Sequence, residues 1–141
     1  MARIKLDLPD TFFFATTIEV RIDDINYGNH LSNDAYLKYM HEARLRFFKQ
    51  FNFTEMDLAG ASVIMGDTAI VFKSECFYGD ELAIEVTAAD FGKRSFDLFY
   101  KFTNTKTNVV VCEAKTGMVC FDYNTRKTMD VPLAFKQLFQ H

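Results

Sequence analysis

The sequence contains no tryptophan, only two prolines and six glycines, and only three cysteines in 141 residues. With so few prolines and glycines there is little room for long irregular linkers, so we expect a single domain over residues 1–141. The number of cysteines is odd, and they lie in apolar surroundings at Cys76, Cys112 and Cys120. Their separation in the sequence is not that of cysteines that bind one metal ion. This pattern argues against a disulfide framework or a metal site, and it favours buried thiols in a reducing compartment, the cytoplasm.

Long apolar runs and blocks of like charge are also missing. No stretch approaches the ~20 apolar residues that cross a bilayer, and the first ten residues lack the apolar run of a signal peptide. We therefore expect neither membrane insertion nor secretion. The net charge of −3 comes from 16 basic and 19 acidic residues that are well mixed. Without a basic block, a nucleic-acid partner is not expected, whereas a small anionic ligand needs only a few local cations.

Aromatic residues are abundant, with 16 phenylalanines and six tyrosines, and many of them fall in one helical pattern. Residues 34–51 carry apolar side chains at spacings of three and four, which predicts a helix, with Ser32 or Asn33 as its N-cap. The predicted helix has a second apolar side, so that only a narrow stripe of its surface is polar. Such a helix must be covered on most sides, and a strongly curved sheet wrapped around it would do this.

Strand patterns occur on both sides of this helix. Short connections between consecutive strands favour antiparallel pairing. We predict an α+β fold in which one long central helix is wrapped by a curved antiparallel sheet of about five strands. The two edges of such a sheet favour a homodimer or homotetramer. The predicted strands are residues 12–22, 62–78, 81–89, 95–103 and 109–123, with a short closing helix at 133–139.

The loop before the helix reads Asp24-Ile-Asn-Tyr-Gly-Asn-His-Leu-Ser-Asn33, and the helix contains Tyr36-Leu-Lys-Tyr-Met-His-Glu-Ala-Arg44. This run resembles the loop–helix motif of the hotdog-fold thioesterases related to 4-hydroxybenzoyl-CoA thioesterase. The resemblance implies hydrolysis of an acyl-CoA or acyl-carrier thioester without a cofactor, at a site lying between two subunits. One position departs from the motif. Asn26 stands where the family usually has its catalytic carboxylate, and an amide is neither a nucleophile nor a base at neutral pH.

Thioester hydrolysis needs a polarised carbonyl, a positioned water and a held acyl group. We expect backbone N–H groups from Gly28 to Ser32 to polarise the carbonyl, with Gly28 permitting close approach and a positive φ. Asp24 and His30 are predicted to share the acid–base work while Asn26 positions the water. The structural alternative is that Asp24 and Asn26 only form Asx-type turns.

The predicted substrate contacts extend beyond the loop. The basic turn Lys93-Arg94-Ser95 is a candidate for contacting coenzyme A in the neighbouring subunit's site, although such turns are usually only solvated. Glu42 is assigned to ion pairs with Lys38 and Arg46, at the spacing of a helical ladder. The candidate acyl-lining and loop contacts are Tyr27, Gly28, Asn33, Tyr36, Phe47, Met65 and Phe72, of which the aromatic ones are also typical core residues.

Two other functions stay open at this point. A hotdog hydratase or dehydratase would abstract a proton with a histidine–carboxylate pair, but the proline-rich loop typical of those dehydratases is absent. A non-catalytic acyl-thioester-binding protein is favoured by Asn26. Release of a free thiol separates both from a thioesterase.

Overall fold

The computed structural model describes residues 1–140 and contains one long helix set against one antiparallel sheet. The strands are β1 (Phe14–Glu19), β2 (Ser62–Phe72), β3 (Glu81–Ala89), β4 (Ser95–Asn104), β5 (Val110–Asp122) and the short β6 (Lys127–Thr128). The helices are α1 (Ala35–Gln50) and α2 (Leu133–Lys136), and a 3₁₀ turn occupies Ile22–Asp24.

The sheet order is β1-β3-β4-β5-β2, with β6 added beside β5. Every pairing is antiparallel. Strands β3, β4 and β5 follow one another through short turns, whereas α1 separates β1 from β2 in the chain and places them at opposite ends of the five-strand path. This arrangement confirms the predicted α+β architecture with one long helix.

The core lies between α1 and one face of the sheet. Alternate residues of β3, namely Leu82, Ile84 and Val86, are fully buried. Met40 and Phe47 on α1 are buried to the same degree, as the helical spacing predicts. The second apolar side of α1 is covered less well, because Leu37 and Leu45 remain about two-fifths exposed.

The far end of the core is closed by an aromatic cluster that α2 completes. Phe135 is fully buried. Its ring centroid lies 4.9 Å from that of Phe96 and 5.1 Å from that of Phe139. It also contacts Phe48 at the C-terminal end of α1. The predicted closing helix therefore exists, and it holds the end of α1 opposite the motif loop.

Three predicted boundaries differ from the structure. Strand β2 ends at Phe72 rather than at residue 78, because residues 73–80 leave the sheet and run past the loop before α1. The residue preceding α1 is Asp34, and its side chain makes no capping bond, so neither predicted cap is used. Strand β1 is six residues long, shorter than predicted. Within residues 1–140, no helix is long and apolar enough to cross a membrane.

Candidate functional site

Asn26 holds the motif loop in shape. Its Oδ1 accepts hydrogen bonds from the backbone N–H of Gly28 (2.9 Å) and of His30 (3.4 Å). Its own N–H donates to the carbonyl of His30 (3.0 Å), and its carbonyl accepts from Asn29 (3.0 Å). This is the Asx-type turn given as the structural alternative. The Asn26 amide thus organises the loop that carries His30.

Gly28 serves this turn through its small size rather than its backbone angle. A Cβ at this position would lie 3.2 Å from His30 Nε2 and 3.3 Å from Asn26 Oδ1, both tighter than ordinary contacts. The predicted positive φ is wrong for Gly28 and is found instead at the following residue, Asn29 (φ 66°). Asparagine tolerates that region better than most residues. A side chain at position 28 would push against the imidazole.

The loop fixes the orientation of the His30 imidazole. Its Nδ1 lies 3.2 Å from the carbonyl of Leu31. Because a carbonyl oxygen only accepts hydrogen bonds, a neutral imidazole making this bond carries its hydrogen on Nδ1 and has its free lone pair on Nε2. Nε2 lies 3.9 Å from Glu75 Oε1. His30 therefore presents a proton acceptor near Glu75.

A cavity of about 200 Å³ adjoins His30 at the N-terminal end of α1. The Tyr36 ring forms its floor and is held between Phe72 (5.2 Å) and Phe102 (5.6 Å). Burial raises the pKa of the Tyr36 phenol, and its hydrogen bond to Cys76 Sγ (3.3 Å) raises it further, so the phenol stays neutral. The residues lining this cavity, called the His30 cleft below, are His30, Leu31, Asn33, Tyr36, Phe72, Lys73, Ser74 and Glu75.

The backbone N–H groups from Gly28 to Ser32 are all engaged within the chain. Asn26 accepts from the first three. The carbonyl oxygens of Cys76 and Asp24 accept from the last two, each at 2.9 Å. A loop folded this tightly satisfies its own donors, so the prediction that these five groups polarise a carbonyl is not supported.

Free donors do occur a little further along. In the part of the chain that the structure describes, the backbone N–H groups of Asn33 and Tyr36 have no hydrogen-bond acceptor. Both residues line the His30 cleft. The first N–H groups of a helix lack partners within the helix and carry its partial positive charge. Unpaired backbone N–H groups therefore occur closer to α1 than the sequence predicts.

Asp24 lies outside the His30 cleft. Its carboxylate is buried, accepts a hydrogen bond from the Tyr39 hydroxyl (2.8 Å), and pairs with Lys38. Burial raises the pKa of Asp24, but the hydrogen bonds from Lys38 and Tyr39 outweigh burial and hold the pKa below its usual value. Asp24 lines a separate cavity of about 210 Å³ with Arg21 and other residues. The structure does not bring Asp24 and His30 to one cavity.

Replacing Asp24 by Asn is expected to lower stability at neutral pH and to matter little in acid. Because the pKa of Asp24 is lowered in the folded chain, its contribution is complete above the usual carboxyl range and is lost as pH falls through the folded value. Lys38 is largely in water, so we expect a loss of only ~1 kcal/mol. Urea unfolding of both proteins between pH 7 and pH 3 tests this. A difference that grew toward acid would contradict it.

A family model described as thioesterase-like superfamily matches residues 20–139. The chain belongs to the thioesterase-like superfamily. The match includes the motif loop, α1 and all strands from β2 onward. No curated protein matches the chain closely enough to count as a relative.

Solved structures of two thioesterases and of a hypothetical protein bound to CoA have the same fold as this superfamily member. The 1,4-dihydroxy-2-naphthoyl-CoA thioesterase Slr0204 from Synechocystis superposes with a TM-score of 0.79 at 17% identity, over 88% of this chain and 93% of that one. The DHNA-CoA thioesterase from Staphylococcus aureus gives 0.76 at 18% identity, over 88% and 84%. The S. aureus protein SAV2348, solved in complex with CoA, gives 0.78 at 18%, over 94% and 84%. The predicted hotdog fold is confirmed.

Several predicted acyl contacts do not meet at the His30 cleft. Tyr27 is fully exposed, and Phe47 is fully buried in the core. Met65 is half-exposed on the edge strand β2 and does not line the cleft. Tyr36 and Phe72 do line it. Their T-shaped contact places one aromatic residue from α1 and one from the end of β2 beside His30.

The basic turn lies at the other end of the sheet. Arg94 Nε lies 3.3 Å from Asp130 Oδ1, and its Nη1 donates to Thr128 Oγ1 (3.2 Å). Lys93 accepts a backbone hydrogen bond from Val131 (2.9 Å). Ser95 lines another cavity, beside Asp97 on the sheet. Within one chain, Lys93, Arg94 and Ser95 therefore do not contribute to the His30 cleft.

Other predictions concern helix α1 and the cysteines. Glu42 pairs with Arg46 (2.8 Å) as predicted, but Lys38 turns to Asp24 instead of Glu42. The Nε2 of His41, also on α1, lies 2.8 Å from Glu55 Oε1. All three cysteines are free and buried, as expected. Among residues 1–140, no group of side chains is suited to hold a metal ion.

One wall of the cleft is lined by residues that the sequence does not mark as part of a site, namely Lys73, Ser74 and Glu75. These residues were assigned to the continuation of β2, where nothing distinguishes them from ordinary strand residues. A backbone hydrogen bond from Leu31 to Cys76 (2.9 Å) ties this segment to the motif loop. The signal that could have located them is the polar run Lys73-Ser-Glu75, which interrupts the apolar alternation of β2.

Proposed function

We propose that this chain is an acyl-CoA thioesterase, which hydrolyses an acyl-CoA to a free carboxylic acid and a thiol in the His30 cleft. One observation carries the proposal: His30 lines the same cavity as Asn33 and Tyr36, whose backbone N–H groups have no hydrogen-bond acceptor within residues 1–140. A proton acceptor and preorganised donors beside one opening are what acyl transfer to water requires. Membership of the thioesterase-like superfamily supports the same chemistry.

In the proposed reaction, the thioester carbonyl oxygen accepts hydrogen bonds from the N–H groups of Asn33 and Tyr36. These donors stabilise the negative charge that develops when a water oxygen bonds to the carbonyl carbon. The water's proton passes to Nε2 of His30. The carbon–sulfur bond then breaks, and His30 returns the proton to the leaving sulfur. Asn26 acts indirectly, by holding the loop that sets the angle of the imidazole.

The acyl group would rest on the aromatic floor of the cleft. Tyr36 is nearly fully buried while Phe72 is 40% exposed, so an apolar acyl group gains contact mainly with Phe72. Within residues 1–140 the core beneath Tyr36 is filled by fully buried side chains such as Met40 and Phe102. The cleft of a single chain is therefore shallow, and the remaining wall would come from a second subunit.

We propose a homo-oligomer formed along β2, as a homodimer or a pair of such dimers. Strand β2 is a sheet edge, and Ile64 and Met65 on it are exposed, which are features of a strand that pairs with another copy. Antiparallel pairing of two β2 strands would place the start of one beside the end of the other. The partner's basic turn at Lys93 and Arg94 would then approach the side of the sheet that carries this chain's cleft and could meet the phosphates of CoA.

We also propose that the protein works in the cytoplasm, because its three cysteines are buried free thiols, which suit a reducing compartment.

The test is release of free thiol from a panel of acyl-CoA substrates, short, long and aromatic. Wild-type protein is expected to release CoA stoichiometrically with acid, with turnover on at least one substrate in the ordinary range of ~1–10³ s⁻¹. Enoyl-CoA hydration is measured in parallel and is expected to be absent. Saturable binding of acyl-CoA without thiol release would overturn the proposal in favour of a binding protein, and hydration without release would favour a hydratase.

A further inference from the structure

Glu75 is the one carboxylate that lines the His30 cleft among the described residues. Asp24 faces another cavity and is held by Lys38 and Tyr39. Position 26 is an amide whose Oδ1 accepts two hydrogen bonds within the loop turn. Within one chain, a carboxylate that takes part in chemistry in this cleft must therefore come from the segment after β2.

The geometry between Glu75 and His30 suits a shared water molecule. Glu75 Oε1 lies 3.9 Å from His30 Nε2, which is too long for a direct hydrogen bond. At such a separation one water can contact both atoms. Nε2 is the ring nitrogen with the free lone pair, since Nδ1 donates to the carbonyl of Leu31. Nε2 of His30 and Oε1 of Glu75 can thus accept hydrogen bonds from the same water molecule in the cleft.

The carboxylate of Glu75 is not neutralised by a neighbouring cation, and a backbone hydrogen bond next to it fixes the position of its segment. The neighbouring cation Lys73 pairs with Glu113 (3.3 Å) instead, and within residues 1–140 no lysine or arginine pairs with Glu75. The side chain of Glu75 is 65% exposed, so its oxygens are open to solvent. The hydrogen bond from Leu31 to the carbonyl of Cys76 joins the residues directly after His30 and Glu75.

We infer that Glu75 is a catalytic residue, working as a pair with His30 in the proposed hydrolysis, on which this inference rests. The attacking water donates one hydrogen to Nε2 of His30 and the other to the carboxylate of Glu75. As the water oxygen bonds to the carbonyl carbon, the first proton moves to Nε2. The negative Glu75 then stabilises the imidazolium until its proton passes to the departing sulfur. No proton remains on Glu75, so the carboxylate is unchanged at the end of each turnover.

Replacing Glu75 by Gln tests this, because Gln keeps the shape of Glu but carries no charge. We expect kcat to fall about 10²-fold with KM changed little, since the interaction develops mainly in the transition state. The Glu75→Asp variant keeps the charge and is expected to recover part of the lost kcat. Glu42→Gln is the matched control: Glu42 is half-exposed, pairs with Arg46 and lies outside the cleft, so its kcat should equal that of wild type.

Two results would overturn the inference. If Glu75→Gln kept the wild-type kcat while His30→Ala still lost thiol release, Glu75 would not be a catalytic residue, and the proposed function would stand. Absence of thiol release by wild-type protein across the acyl-CoA panel would remove the proposed function and this inference with it. Thermal unfolding of each variant shows whether it is folded, and little change is expected at so exposed a position as Glu75.

Discussion

Replacing His30 by Ala is expected to lower kcat for thioester hydrolysis about 10³-fold while leaving the fold in place. Nε2 of His30 is the proton acceptor that the proposed reaction uses, and alanine offers none. The backbone N–H groups of Asn33 and Tyr36 remain, so a residual rate above that in water is expected. The measurement is steady-state release of free CoA with the best substrate from the panel.

His41→Ala is the matched control for this variant. His41 is an exposed histidine on α1 that pairs with Glu55 and does not line the His30 cleft. Its loss should leave kcat within about two-fold of wild type, since surface substitutions rarely disturb a fold. If His30→Ala and His41→Ala both kept wild-type turnover, the assignment of the site to the His30 cleft would be wrong. Binding of the product CoA should survive in His30→Ala, because the substitution removes chemistry rather than the cleft.

Sequence patterns predicted the fold well because each element repeats a signal over many residues. The helix carries apolar residues at 36, 39, 40, 43 and 47, so a single unusual residue does not obscure the period. Strand β3 was predicted with its observed limits, Glu81–Ala89, because it alternates cleanly and ends at turn residues on both sides. The end of β2 was misplaced because residues 70–78 mix apolar and polar side chains without a clear period.

The site was only half predictable, because its two walls come from segments that are distant in the sequence. His30 and Asn33 belong to a contiguous motif, and the structure places them together at the cleft. Glu75 reaches His30 only because the chain leaves the sheet after Phe72 and bonds to the motif loop. Asp24 shows the opposite error. It is six residues from His30 in sequence, yet the 3₁₀ turn at Ile22–Asp24 directs its carboxylate to Lys38 and Tyr39.

Replacing Phe135 by Ala is expected to destabilise the protein by ~3–5 kcal/mol, the usual cost of removing a buried phenylalanine. The ring is fully buried and contacts five other phenylalanines. Because these side chains are closely packed, removing the ring would leave a cavity that they do not fill. The measurement is guanidinium unfolding at fixed protein concentration. These ring neighbours are Phe48, Phe53, Phe91, Phe96 and Phe139.

Phe135→Ala should lower the free energy of unfolding without changing the kcat or KM of the folded protein. Phe48, which Phe135 contacts, is twelve residues after Tyr36 on α1, or roughly 18 Å along the helix axis. The folded variant should therefore keep its KM and kcat at low temperature while unfolding at lower denaturant. Phe77→Ala is the control, since Phe77 is half-exposed and its loss should cost less than ~1 kcal/mol. Equal losses in the two variants would show that α2 does not close the core, and the chain end would then contribute little to holding α1 and its cleft.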